Sequence, residues 1–249
     1  MYESFSGVYD HVMDNIPYEE WFERLHAYLR EKGIDSGTVC ELGCGTGTMS
    51  EFFASAGYSV IGVDISPEML SLANMKKEET GSDITYLEQP MEELELDAPV
   101  DAMISVCDSV NYLLHDQQLE DLFARVKKYL KPGGYYIFDL KTTYCYTQII
   151  GNQTWVEQDD DVSYIWENYY YEDEHINEYM LTIFKRNADG LYEKSEEAHY
   201  QKAYEIGHLK SIIEKQGLEV TEAFGADMKS EPTAESERYY IVVGNPGRC

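Results

Sequence analysis

A chain of 249 residues is long enough for one α/β domain with an elaboration, or for two small units, and it can bury a substantial core. Acidic residues outnumber basic ones 47 to 19, a formal net charge of −28 that repels polyanions. No basic cluster denser than Lys76-Lys77 or Lys127-Lys128 offsets that field, so free nucleic acid and anionic membranes are not expected partners. None of the five cysteines forms a C-x-x-C pair, which argues against a disulfide framework or a zinc site, and no metal is expected. The opening residues lack the basic start and apolar run of a signal peptide, and no apolar run approaches about 18 residues, so a soluble, cytoplasmic protein is expected.

In chain order, Pro17 to Lys32 is predicted helical because Trp21, Leu25, Tyr28 and Leu29 share a face and Gly33 supplies a stop. Thr38–Leu42 is a first strand, followed by a glycine-rich loop and a helix over Gly47–Ala56. Ser59–Asp64 is a second strand, and Ser66-Pro67-Glu68 opens a helix to about Lys77 with proline at its first position. Strands follow at Ile84–Glu88 and Ala102–Val106. Asp116 is the expected N-cap of a helix whose buried stripe is Leu119, Leu122, Phe123, Val126 and Leu130. Lys131-Pro-Gly-Gly134 is predicted as a turn, and Tyr135–Leu140 as a fifth strand. This alternation argues for a parallel doubly wound sheet. From about Asn152 to Tyr204 period-two segments replace helices, with strands expected at Val162–Tyr171, Ile176–Lys185 and Leu191–Lys202. A helix returns at Glu205–Gln216, and Leu218–Ala226 with Arg238–Val243 close the sheet as a hairpin. Residues 1–151 and 205–249 therefore read as one core, and 152–204 as an inserted antiparallel sheet.

The chemistry concentrates after the first strand. Glu41 precedes glycines at positions 43, 45 and 47, and the second strand ends in Asp64. Glycine serves where backbone must turn tightly and let a ligand approach. A carboxylate about 20 residues beyond such a loop is placed to hold both hydroxyls of a ribose. The dinucleotide fingerprint G-x-G-x-x-G/A fails here, because its third glycine position is Thr48. The pattern is E-x-G-x-G-x-G, and an acidic side chain at that point repels a pyrophosphate while suiting a cationic ligand. A nicotinamide-dependent oxidoreductase is disfavoured on those grounds.

The segment resembles motif I of the class I S-adenosylmethionine-dependent methyltransferases. With Val60–Leu70, Asp101–Leu114, Leu130–Leu140, Trp166-Glu-Asn168 and Glu197–Tyr204, nearly the whole chain resembles a bacterial family of small-molecule methyltransferases. That family is similar in architecture to glycine N-methyltransferase and to sugar N-methyltransferases of antibiotic pathways. The resemblance implies an α/β, Rossmann-like seven-stranded methyltransferase sheet carrying an inserted antiparallel β-sheet, with S-adenosyl-L-methionine as cofactor. It also implies that Glu41, Gly43, Gly45 and Gly47 line the methionine end, Asp64 holds the ribose and Ile65 packs on adenine. Gln89, Pro90 and Met91 would flank adenine. Where many relatives carry an acidic residue this chain has Pro90, which cannot hold the adenine amino group, so Gln89 is the expected substitute. Cys107 and Asp108 would lie near the sulfonium, and Tyr9, within an N-terminal cover that includes Tyr2 and Asp10, would reach the methionine carboxylate.

The inserted sheet is expected to wall the acceptor site, because ligands of open α/β folds sit beyond the carboxyl ends of the strands. Period two puts Glu197, His199 and Gln201 on one strand face, and Trp166 with Tyr170 on another. His199 and Tyr9 are the candidate catalytic side chains, His199 as base or substrate ligand, with Tyr144 a weaker candidate. The expected activity is in-line methyl transfer to nitrogen or oxygen of a small molecule, by a monomer or homodimer. Two other readings share the cofactor half: a non-catalytic S-adenosylmethionine-binding regulator, and a methyltransferase acting on a protein or an RNA brought by a partner.

Overall fold

The computed structural model describes residues 16–187 and 189–247. Helix α1 (Tyr18–Glu31) precedes β1 (Thr38–Leu42), α2 (Thr48–Ser55), β2 (Ser59–Asp64), α3 (Pro67–Thr80), β3 (Thr85–Glu88) and β4 (Val100–Ser105). Helix α4 (Asp116–Tyr129) and strand β5 (Leu130–Lys141) complete the first half. These strands, with β10 (Glu219–Phe224) and β11 (Arg238–Gly244), form a seven-stranded sheet in the order β10-β11-β5-β4-β1-β2-β3. Only β11 runs against its neighbours, pairing antiparallel with both β10 and β5.

Strand alternation feeds two cores. Cys40, Leu42, Met103, Tyr136 and Phe138 pack under α4 and α5 (Ile206–Lys215), against Leu119, Phe123, Leu209 and Ile213. Val39, Ile104, Ile137 and Tyr240 point to the opposite side, where Trp21, Leu25 and Leu29 of α1 meet Met49 and Phe53 of α2. Helix side chains four residues apart share a stripe, so each helix covers the sheet with one face.

The second sheet comprises β6 (Thr154–Gln158), β7 (Val162–Tyr171), β8 (Ile176–Arg186) and β9 (Tyr192–Lys202), each antiparallel to the next. Asn111 ties the two sheets together. Its amide nitrogen donates to Lys202 O at 2.8 Å and to Lys141 O at 3.1 Å, while its oxygen accepts from Lys141 N at 3.0 Å. Asn168 and Asn177, both buried, bond to each other at 2.6 Å across β7 and β8.

Three local expectations are corrected. Lys131-Pro-Gly-Gly134 lies inside β5 rather than in a turn before it. Leu130 pairs with Val100 and Tyr135 with Ala102, so the surplus residues bulge, and Gly133 takes φ 80° to allow it. Asp116 is the first residue of α4, and His115 occupies the N-cap, exchanging hydrogen bonds with Gln118. Strand β6 was not expected as an element of its own; all five of its residues are exposed, so no apolar alternation marks it.

Candidate active site

The glycine loop follows β1 and is pinned to the end of β2. Gly43 N and Cys44 N both donate to Val63 O, at 2.7 and 3.0 Å. Gly43, Gly45 and Gly47 have φ of 73°, 53° and 76°, a region that side-chain-bearing residues rarely occupy. A Cβ at Gly43 would stand 2.7 Å from Ser109 Cβ, so the loop passes close under the segment following β4. Asp64 completes the cradle: its carboxylate accepts from Gly45 N at 2.8 Å and from Ser66 N at 2.9 Å.

Glu41 is buried, hydrogen-bonded by the Ser50 hydroxyl, and burial pushes its carboxyl up to about 8. Ile65, beside Asp64, is 61% exposed, an apolar side chain laid open toward the same space. Gln89, Pro90 and Met91 form the turn after β3. Both ends of the Gln89 amide are engaged by the main chain of Glu95, at 2.8 and 3.2 Å, so it braces this turn; the expectation that Gln89 replaces the missing acidic contact gains no support. Cys107 and Asp108 leave β4 in left-handed conformations, φ 58° and 54°. Burial pushes the Cys107 thiol up to about 12, which makes it a poor nucleophile.

These elements enclose a cavity of about 570 Å³. Glu41, Gly43, Gly45, Asp64 and Ile65 line it from one side, and Gln89, Pro90, Met91, Cys107 and Asp108 from the next. Gly47 does not line it; it caps α2, where a side chain would collide with the Tyr86 hydroxyl. Tyr9, like Tyr2 and Asp10, lies outside the described residues. Tyr144 precedes a π-helical turn at Cys145–Ile150 and is not part of the wall.

The other half of the cavity is roofed by the inner face of the second sheet, through Trp166, Tyr179, Leu181, His199 and Gln201. Across β8 and β9, Tyr179 is the register partner of His199 and Leu181 of Glu197, so these side chains share a face. The Tyr112 hydroxyl lies 3.4 Å from His199 Nδ1, and Glu197 Oε2 lies 3.4 Å from Nε2. Tyr170 shares the face of Trp166, and both pack on the cluster of Tyr146 and Tyr179, where Tyr170 stacks on Tyr146 without lining the cavity.

Asp108 is the junction between the sheets. It accepts from Gln201 at 2.6 Å, from Arg238 at 3.0 Å and from Lys141 at 3.1 Å. Burial alone would push this carboxyl up, yet the Lys141 and Arg238 charges hold it well below the usual range. Arg238 also pairs with buried Asp139, and Lys141 donates to the Tyr179 hydroxyl at 3.2 Å. Sequence reasoning missed Lys141 and Arg238, which no local motif marks.

A family model described as a methyltransferase domain matches residues 39–134. A protein of Geobacillus sp. (strain WCH70), whose name gives methyltransferase as its class and no acceptor, is 35% identical over 243 residues, 97% of this chain and 98% of its own. The chain belongs to the S-adenosylmethionine-dependent methyltransferases. This methyltransferase is similar in structure to an S-adenosylmethionine-dependent methyltransferase from Clostridium acetobutylicum ATCC 824, with TM-score 0.88, 25% identity and 99% of each chain covered. It shares its fold with a sugar N-methyltransferase from Streptoalloteichus sp ATCC 53650, with TM-score 0.75, 15% identity, and 93% and 90% of the two chains covered. The seven-stranded sheet with a separate four-stranded antiparallel sheet is therefore that of a class I methyltransferase. Among the described residues no helix is long and apolar enough to cross a membrane.

The methyltransferase cavity fits the cofactor on its own terms. The buried Glu41 carboxyl, pushed up to about 8 by burial, would be drawn into its charged form by an ammonium or sulfonium beside it, and at Gly45, where a Cβ would meet nothing within 4 Å, the backbone is open to contact.

Proposed function

We propose that this methyltransferase acts on nitrogen or oxygen of a small, uncharged or cationic molecule held beneath the inserted sheet. One observation carries the reading: the inner face of that sheet, with His199 and Gln201, shares a single cavity with the glycine loop. At about 570 Å³ the space is that of a small-ligand pocket, about 300–1,000 Å³, rather than of a groove for a folded protein or duplex. The net charge of −28 weighs against polyanionic acceptors. The sugar N-methyltransferase with the same fold supports an amino-sugar-like acceptor.

In the proposed assignment, Gly43 and Gly45 present backbone to the amino-acid tail of the cofactor, and Glu41 supplies the negative field there. Asp64 holds the ribose diol, while Ile65, Pro90 and Met91 sandwich the base. When bound, S-adenosylmethionine supplies an electrophilic methyl group. The protein's part is alignment, a factor worth about 7–11 kcal/mol when the reacting atoms are held in line. A cationic amine must arrive neutral, and a hydroxyl must lose its proton as it attacks. Tyr112 and His199 are the groups available for that proton. With Nε2 protonated toward Glu197, His199 Nδ1 is a lone pair facing the Tyr112 hydroxyl, and Glu197 stabilises the imidazolium that results. Buried Tyr179 and Leu181, with partly buried Trp166, exclude water and keep the nucleophile desolvated.

Turnover of methyl-labelled cofactor against amines, amino sugars and phenols tests the proposal. Methylation of at least one such class, lost in His199→Ala with cofactor affinity unchanged, is expected. Methylation only of added protein or RNA would refute it.

A further inference from the structure

A second chamber of about 500 Å³ adjoins the first, with Lys141, Tyr164, Trp166 and Tyr179 belonging to both walls. Its remaining walls are Ile150, at the end of the π-helical turn, and Trp155, Val156 and Glu157 of β6. Strand β6 is the edge of its sheet and fully exposed, yet it displays Trp155 at 39% and Val156 at 59% exposure. Large apolar side chains on an open sheet edge are a liability unless something covers them. Trp155 is the register partner of Trp166 on β7, so the two indoles stand side by side on one sheet face.

The polar features define what would cover them. The Trp166 indole N–H is buried and has no hydrogen-bond partner among the described residues, a cost that an oxygen from a ligand would relieve. Lys141 brings no net attraction for an anion, since Asp108 sits 3.1 Å from its ammonium. Glu157, whose carboxylate accepts from the Tyr164 hydroxyl at 2.5 Å, adds negative charge at the mouth. The chamber thus disfavours an anion and suits a flat ring that carries an oxygen.

We infer that this chamber is a distal acceptor subsite that takes an oxygen-bearing aromatic ring without negative charge. The acceptor is then an elongated molecule: its ring lies against Trp155 and Trp166, and its reactive end reaches Tyr112 and His199 past the shared residues. The inference rests on the small-molecule reading above, and it makes that reading specific, because a bare amine or monosaccharide would leave β6 uncovered.

Calorimetric titration of the full chain with 2-naphthol, under saturating S-adenosylhomocysteine to fill the adenosyl side, tests the assignment without turnover. One site is expected, weakened about tenfold in Trp155→Ala and largely restored in Trp155→Phe, with S-adenosylhomocysteine affinity equal in all three proteins. Equal melting temperatures will show that the exposed edge tolerates the change. 2-Naphthoate, the same ring with a negative charge, is expected to bind more weakly than 2-naphthol. No binding, binding indifferent to Trp155→Ala, or a preference for 2-naphthoate would each overturn the assignment. Failure of every amine and phenol to be methylated, with the titration as expected, would instead count against the transfer reading alone.

Discussion

Replacing Asp64 with Ala separates two jobs carried by one carboxylate. Its oxygens accept the peptide N–H groups of Gly45 and Ser66, at 2.8 and 2.9 Å. Hydrogen bonds to a charged group contribute about 1.5–3 kcal/mol each. Burial of Asp64 raises its pKa and offsets part of that gain, so a stability loss of about 2–4 kcal/mol is expected, within the about 5–15 kcal/mol of a typical domain. The proposed ribose contact is a further charge-assisted hydrogen bond, and its loss corresponds to about a tenfold to 150-fold rise in Kd. Urea unfolding measures the first quantity and calorimetry with S-adenosylhomocysteine the second. Asp64→Asn keeps an acceptor for one of the two amides, so it is expected to lose less stability than Asp64→Ala while losing comparable affinity. A folded Asp64→Ala protein with wild-type Kd would refute the ribose assignment, whatever its stability.

Glu41 gives a pH signature: burial raises its carboxyl to about 8, and a cationic cofactor favours the carboxylate. Affinity is therefore expected to climb as pH rises to about 8, with up to one proton released on binding below it, seen as a buffer-dependent calorimetric heat; Glu41→Gln flattens both. In the cofactor-free protein the sign is opposite, because a folded pKa above the unfolded one stabilises at low pH and is lost as pH climbs through about 8. Asp108→Asn leaves Lys141 and Arg238 short of a buried counter-charge and is expected to cost about 3–5 kcal/mol in denaturant unfolding. Its wild-type contribution, from a depressed folded pKa, is full above pH about 4 and lost as pH falls further, so the mutant's unfolding midpoint varies less in acid. His199→Ala is expected to lower kcat by about 10²–10⁴-fold at unchanged cofactor Kd, the range of a lost general base, and unchanged kcat would demote it to packing.

The glycine-loop half of the cavity was legible because its signals are local. Glu41 lies near the end of β1, Gly43 and Gly45 in the loop that follows, and Asp64 ends the very next strand, so spacing alone brings them together. Period two likewise placed His199 and Gln201 on one face, though not which face meets the core. Gly47 misled because a glycine can serve a neighbour's bulk, here Tyr86, as readily as a ligand. Lys141 and Arg238 were illegible because they meet only through β5–β11 pairing, a contact between distant segments. Strand β6 was silent because neither of its faces is buried. Residues 131–134 carry turn chemistry that a bulge uses equally well.

Strand β11 enters the sheet at the rim where β5 leaves it, Arg238 opposite Lys141, so everything threaded between them is bracketed by one pairing. Closing so long a span is entropically slow. The guanidinium that steadies Asp108 therefore depends on a pairing between distant segments, so the two sheets share a junction that exists only once β11 has docked on β5.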